Sequence, residues 1–470
     1  MGMTMDSITK GMFFEGLVTS LMLFLLLYYG FTLDLFTSFK VGIVCLFCGM
    51  VLSLWSAKYG SRRKGGKRRL LIFSLLCVLG LSTKLVWLFI NWPVDPYDRS
   101  DLDSRYRYLS SAVLSNAFGP ESLPAFIGKR FQIEWSIGTM SMMGYAFANR
   151  AFRFPEYEQE AREVVSTLIE RMLKPDIREF ERLYWGWDAL DALKEPGSER
   201  DRGSIGYLGH LNFLLGTFRM LGGDNRYSEL HLGISDALAR RVQASHSLFV
   251  ETFPGEIYVP DNLVVLASLG LFDMAGSTEK YRDLLNRWLE RCKMEMTDQR
   301  SKVLVPWVQA ANGQPVSGFR GSYAAWNLFY LPFIDRQYAR EQWGRLKELA
   351  RMSPVPGFYA LREFYPGEHG MADIDSGPVL FGMSTSGTGF AMASASLFED
   401  RETLLGLLRT AEFAGFTVHG ATGSRYLLAP LVGDAIVLAG RTAIEWDRRF
   451  LNGTVVGPAD GSLSPELVAK

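Results

Sequence analysis

Two kinds of helical segment alternate along most of this chain, and that alternation limits what it can fold into. One kind is apolar nearly all round and rich in small residues: IGTMSMMGYAFANRA, YLGHLNFLLGTF, NLVVLASLGLFD, SYAAWNLFYLPF, VLFGMSTSGTGFAMASASL and APLVGDAIVLAG. The other carries charge on one face: YEQEAREVVSTLIERML, RYSELHLGISDALARRV, EKYRDLLNRWLERCK and QYAREQWGRLKELAR. A helix apolar on every side is buried, and a one-faced helix lies outside it. The 3–4 residue apolar recurrence predicts helices near 104–117, 134–152, 157–173, 206–222, 226–245, 261–274, 277–296, 321–334, 336–351, 377–397, 400–412 and 431–446. Inner and outer segments pair into hairpins, and the helix near 104 pairs with the last inner helix to close a ring. The fold class expected is all-α, an (α/α)6 barrel; a looser helical bundle or solenoid is the alternative.

Three apolar runs precede the alternation, Met12 to Phe31, Val41 to Ala57 and Leu70 to Trp92. Each is close to the ~20 residues needed to cross a bilayer, so the barrel is expected to follow three N-terminal transmembrane helices. The first run could instead be a cleaved signal peptide, but a second run follows at once and no small-residue cleavage pattern separates them. The intervening loop KYGSRRKGGKRR holds seven Lys or Arg and no acid, which keeps it in the cytoplasm. The rest of the chain then lies outside the inner membrane. The division expected is a membrane domain 1–92, a linker with the first barrel helix 93–130, and the barrel 131–470.

Lys plus Arg and Asp plus Glu number 50 each, and a chain without basic excess is not expected to bind nucleic acid. Cys45, Cys48 and Cys77 fall in the apolar runs and Cys292 stands alone, so no disulfide framework is expected. No P-loop, dinucleotide fingerprint or GxSxG elbow occurs. HGMADID lacks a recognised ligand spacing, so no metal and no cofactor are expected.

Consecutive inner helices run in one direction, so their N-terminal ends gather at one mouth. The polar oddities fall there: Trp185, Trp187 and Asp188 in YWGWDALD; Tyr207 and His210; Tyr258, Asp261 and Asn262; Arg320, Tyr323 and Trp326; Glu363, Tyr365, Glu368, His369, Asp373 and Asp375; His419, Arg425 and Tyr426. Each has a plainer reading. Asp261, Asn262 or Asp375 can cap a helix, tryptophans fill cores, and a lone buried histidine is usually a hydrogen-bonded core residue. Several loops delivering carboxylates, imidazoles and aromatic rings to one mouth favour a site.

On YLGHLNFLLGTFRMLGGDNRY, the PDN turn, the SYAAW helix start and DIDSGPVLFG…TGFA, the chain resembles the linalool dehydratase/isomerase family over roughly residues 130 to 445. The resemblance implies an (α/α)6 barrel with a mostly apolar pocket. It also implies cofactor-free loss of water from, and isomerisation of, a terpene alcohol, with His210 and Tyr323 lining the site. Where that family carries two functional cysteines around the PDN turn, this chain has Tyr258 and Ala267; the acid of that motif is replaced by Val259.

Three functions are therefore expected as alternatives. The first is a membrane-anchored lyase or isomerase acting on a hydrophobic, isoprenoid-like alcohol, with His210, Tyr323, Asp373 and Asp375 in acid–base roles. Tyr207, Trp185, Trp187, Tyr258, Asp261, Asn262, Trp326, Glu363, His369 and His419 would bind its substrate. The second is a carbohydrate-active enzyme pairing Asp261 with Asp373 or Asp375 beside a Trp-lined cleft. The third is a non-catalytic barrel subunit of a membrane or envelope complex. The partners expected are a small hydrophobic substrate or a glycan, and the lipid bilayer; a homo-oligomer is compatible with all three.

Overall fold

The structure, a computed structural model, describes residues 95–446. The three apolar runs expected to span the membrane lie outside the described residues. Those described fall into two compact units. Asp95 and Glu412–Leu428 belong to one, and Pro96–Ala411 with residues 429–446 to the other.

The described chain is mostly helical. Its helices are α1 Arg99–Leu114, α2 Lys129–Arg153, α3 Glu158–Met172, α4 Pro175–Trp185, α5 Ala189–Ala192, α6 Ile205–Met220 and α7 Ser228–Ala244. They continue as α8 Val259–Gly276, α9 Arg282–Met294, α10 Gly321–Tyr330, α11 Arg336–Ala350, α12 Thr385–Leu397, α13 Arg401–Gly415 and α14 Leu431–Arg441. The ends follow local chemistry. Pro155 stops α2 just beyond Phe154, Pro260 sits in the first turn of α8, and Gly186 closes α4 in the left-handed region, its N–H donating to the Arg182 carbonyl.

In the larger unit the apolar helices contact one another in cyclic order: α2 with α6, α6 with α8, α8 with α10, α10 with α12, α12 with α14, and α14 with α2. Nearly every side chain of these six is buried from the second turn onward. Outside them α3 packs on α2 and α6, α7 on α6 and α8, α9 on α8, α11 on α10, and α1 on α14. Among the described residues only α8 is long and apolar enough to cross a membrane, but 83% of its apolar window is buried inside the protein, as a core helix requires.

Short strands sit in the connections. β1 Glu256–Tyr258, β2 Trp307–Gln309 and β3 Pro315–Val316 form one antiparallel sheet. β4 Arg351–Val355, β5 Phe358–Arg362, β6 Val379–Leu380 and β7 Met383–Ser384 form a second, in the order β4-β5-β7-β6. In the smaller unit, β8 Thr417–Gly420 and β9 Gly423–Tyr426 make a hairpin with His419 opposite Ser424.

Close approach of the inner helices depends on missing side chains. A Cβ on Gly440 of α14 would lie 3.1 Å from the Ala393 nitrogen and the Gly389 oxygen of α12, backbone atoms that cannot turn aside. The closure between first and last inner helices rests on Asn149. Its Nδ2 donates to the Ala439 carbonyl at 3.0 Å, and its Oδ1 accepts from the Trp446 indole at 2.8 Å. Asn149→Ala leaves these buried partners unmet, so it should lower stability by about 1–3 kcal/mol, read as a shift of the urea midpoint. A shift below about 0.5 kcal/mol, the range of neutral surface changes, would show that the closure does not depend on this amide.

Candidate functional site

The heads of the inner helices supply most of a carboxyl cluster. Glu134 is in the second turn of α2, Asp261 in the first turn of α8, and Tyr323 in the first turn of α10. Asp375 comes from the loop between β5 and β6, and Glu181 from α4. Asp261 and Tyr323 lie in the first turns of two helices in contact, α8 and α10, although they are far apart in sequence.

The Tyr323 hydroxyl donates to Asp375 Oδ2 at 2.9 Å, and Thr252 Oγ1 donates to Asp261 Oδ2 at 3.0 Å. Three rings stand together here: Tyr258 to Tyr323 at 6.2 Å between centroids, Trp307 to Tyr323 at 6.0 Å, and Tyr258 to Trp307 at 6.5 Å. Farther along the helices the lining becomes apolar. Trp326 lies 5.5 Å from Phe390, nearly parallel, and 5.6 Å from Trp135. His210 meets Tyr330 edge-on at 6.2 Å.

Burial sets the electrostatics. It pushes the Asp261 carboxyl up to about 6, against the Thr252 hydrogen bond. Asp375 is raised first by burial, then by the Asp373 charge, with the Tyr323 hydrogen bond opposing and Asp261 adding. Glu134 is held well above the carboxylate range by burial and then by the charges of Asp375, Asp261 and Glu181, with Arg130 opposing. Its Oε2 is buried without a hydrogen-bond partner among the described residues. Burial alone lowers His210 to about 4, and its Nδ1 has no partner among the described residues. At neutral pH the imidazole is therefore uncharged. The Glu134 carboxyl favours keeping its proton, Asp375, raised to about 7, is divided between its two forms, and Asp261 is mostly ionised.

The structure separates the expected site residues. Tyr323, Asp375, Tyr258 and Asp261 come together. His210 and Trp326 line the inner helices one or two turns farther on. Asp373 is not free for catalysis: it accepts from Arg320 Nη2 at 2.6 Å and from the Ser376 amide at 2.7 Å, which braces the loop that carries Asp375. Glu363 is fully buried and saturated by Arg320 Nε at 2.5 Å, Ser322 Oγ at 2.8 Å and the Ser322 amide at 3.0 Å. Asn262 is a backbone clamp, accepting from the Val250 amide at 2.8 Å and donating to the Val250 and Tyr258 carbonyls. Tyr207 is buried with its hydroxyl on the Met172 carbonyl at 3.0 Å. Trp185 and Trp187 pair with each other at 5.7 Å beside Arg202, at the end of α4. His369 is exposed, and His419 lies in the other unit, its Nδ1 2.8 Å from Ser424 Oγ.

Glu134 and Glu181 are the groups that reading the sequence passes over. Glu134 had a signal, an acid at the head of the apolar segment IEWSIGTMSMMGYAFANRA. Glu181 had none, since REFERLYW reads as an ordinary charged surface helix. It is nonetheless fully buried and accepts the Tyr207 amide at 2.9 Å. It thereby caps α6 in place of Ser204, which makes no side-chain cap. Among the described residues no group of three or more His, Cys, Asp or Glu is arranged to hold a metal ion. No protein-family model matches the chain.

Burial lifts Glu181 from its ordinary 4.5 to about 8, with the Tyr207 amide and Arg241 opposing. Between these values the unfolded chain has released the proton while the folded chain keeps it. Stability should therefore be full below about pH 4.5, fall as pH rises through the window, and level off above about 8. Glu181→Gln keeps an oxygen for the Tyr207 amide and should flatten that fall. Urea midpoints at several pH values across the window check this; an unchanged slope would assign the dependence to other groups.

Proposed function

We propose that the cyclic helix pairs form an (α/α)6 barrel and that the carboxyl cluster at its head makes the protein a lyase or isomerase acting on a hydrophobic, isoprenoid-like alcohol. The observation that carries this reading is the set of Glu134, Asp261 and Asp375: half-buried residues whose carboxyls have raised proton affinity, beside aromatic rings. Loss of water needs an acid for the leaving hydroxyl and a base for a carbon-bound proton. Asp375, its proton affinity raised into the neutral range, is suited in its protonated form to give a proton to the hydroxyl as the C–O bond breaks. Asp261, ionised near neutral pH, takes the proton from carbon as the double bond forms. The acid ends ionised and the base protonated, and the proton returns between them to reset the site. Re-addition of water at the other end of an allyl system would give the isomer. The rings of Tyr258, Trp307 and Tyr323 favour positive charge developing on carbon.

The family resemblance on the GHLN, PDN and SYAAW segments supports the same chemistry, performed here by carboxyls where that family uses cysteines. Three apolar N-terminal runs and the basic loop between them support a multi-pass anchor in the inner membrane with the barrel outside the cytoplasm. The glycan reading draws less support, because Trp326 is packed against Phe390 and Trp135, and Trp185 pairs with Trp187 at the end of α4. Neither offers a free platform beside Asp261 and Asp375.

The test uses the full-length protein in nanodiscs with isoprenoid allylic alcohols of increasing length, in oxygen-labelled water. Label should enter the alcohol and alkene should form. Asp375→Asn and Asp261→Asn should each reduce the rate by about 10²-fold or more, the scale of general acid–base catalysis, and Tyr323→Phe by less. Absence of exchange with every alcohol, in a protein that unfolds cooperatively, would sink the reading.

A further inference from the structure

The tryptophans of YWGWDALD play no part in the carboxyl cluster, and the structure gives them another setting. Trp187 lines a cavity of about 250 Å³ together with Arg178, Arg182, Arg200, Asp188 and Asp191. Both acids are already matched. Asp188 takes Arg178 Nη2 at 2.6 Å on one oxygen and the Leu190 amide at 2.9 Å on the other. Asp191 takes Lys194 Nζ at 2.8 Å.

The donors are not matched. The Arg182 side chain makes no hydrogen bond or ion pair among the described residues, although its charge acts on Asp191. Arg200 has only Glu195 at 3.6 Å, with both side chains about half exposed. The Trp187 indole nitrogen is buried and has no acceptor. Arg202 adds a further cation, its guanidinium carbon 5.9 Å from the Trp187 ring.

Arg178 is held by Asp188, and Arg182, in the last turn of α4, complements the helix dipole. Neither role accounts for Arg200, which arrives from a separate segment, or for a buried indole N–H with nothing to bond. A surplus of donors around one cavity calls for a ligand that only accepts. A tetrahedral oxyanion with several charged oxygens meets that demand, and guanidinium forks match its geometry.

We propose that the cavity between Arg182, Arg200 and Trp187 binds a phosphate group, carried by a soluble phosphate ester or by a lipid headgroup. Arg182 and Arg200 hold two of its oxygens, and the Trp187 N–H donates to a third.

The test is calorimetric titration of the full-length protein, in nanodiscs of zwitterionic lipid at constant ionic strength, with inorganic phosphate. Saturable heat is expected, with chloride giving none. Arg182→Gln should weaken binding about tenfold, in keeping with loss of one charge-assisted contact. Trp187→Phe should weaken it severalfold while leaving the urea midpoint unchanged. Repeating the titration with phosphatidic acid in the nanodisc separates the two sources: competition assigns a lipid headgroup, and its absence assigns a soluble ester. A response to chloride equal to that for phosphate would overturn the proposal. So would the lack of saturable heat, or an Arg182→Gln protein that titrates like the parent.

Discussion

Mutual burial of the six apolar helices is the constraint from which the rest of the larger unit follows. Each is apolar on nearly every side, so none can face water on either flank, and a row of them would leave two ends exposed. Contact between α14 and α2 removes those ends. The Asn149 amide meets the polar groups that this closure would otherwise strand, on Ala439 and Trp446. Glycines at contacts such as Gly440 let neighbouring backbones come within packing distance, which leaves little room for water between the helices.

The same dryness shapes the chemistry at the head of the ring. A carboxylate carried there loses hydration that only a cation or several donors could replace. Nearby cations are engaged elsewhere: Arg320 holds Glu363 and Asp373, and Arg130 lies 3.8 Å above the Tyr184 ring. Burial raises the proton affinity of Glu134, Asp261 and Asp375, and neighbouring carboxylate charge adds to it at Glu134 and Asp375. An arrangement that disfavours ionisation at several positions at once does nothing for the stability of the fold at neutral pH, and perturbed groups of this kind concentrate at functional sites.

Much of this was legible from periodicity. Most expected helices coincide with observed ones, because a long apolar stretch with glycine and small residues has few other ways to bury itself, although α1 and α2 begin five residues earlier than expected and α14 ends five sooner. The misses have local causes. A helix expected from 377 begins at Thr385, since Val379–Ser384 turns back on itself through Phe381 and Gly382, both at positive φ. The helix expected from 277 begins at Arg282, because Ser277 adopts a left-handed conformation and ends α8. α4 was overlooked between two stronger patterns, and strands of two to five residues are too short for alternation to register. In the site, Tyr323, Asp375 and Asp261 could be found because polar residues stand out at the heads of apolar helices. Glu181, Trp307 and the bracing roles of Asp373, Glu363 and Asn262 depend on which surfaces meet, and no one segment records that.

The first and last described helices of the larger unit touch. Arg441, at the close of α14, hydrogen-bonds the carbonyl of Pro96 and pairs with Asp101 of α1. A ring whose first and last members are neighbours has no privileged starting point. Joining α1 to α14 and opening the ring at another surface connection would preserve the contacts among the described helices, so such a fold is open to circular permutation as well as to growth by duplication of hairpins.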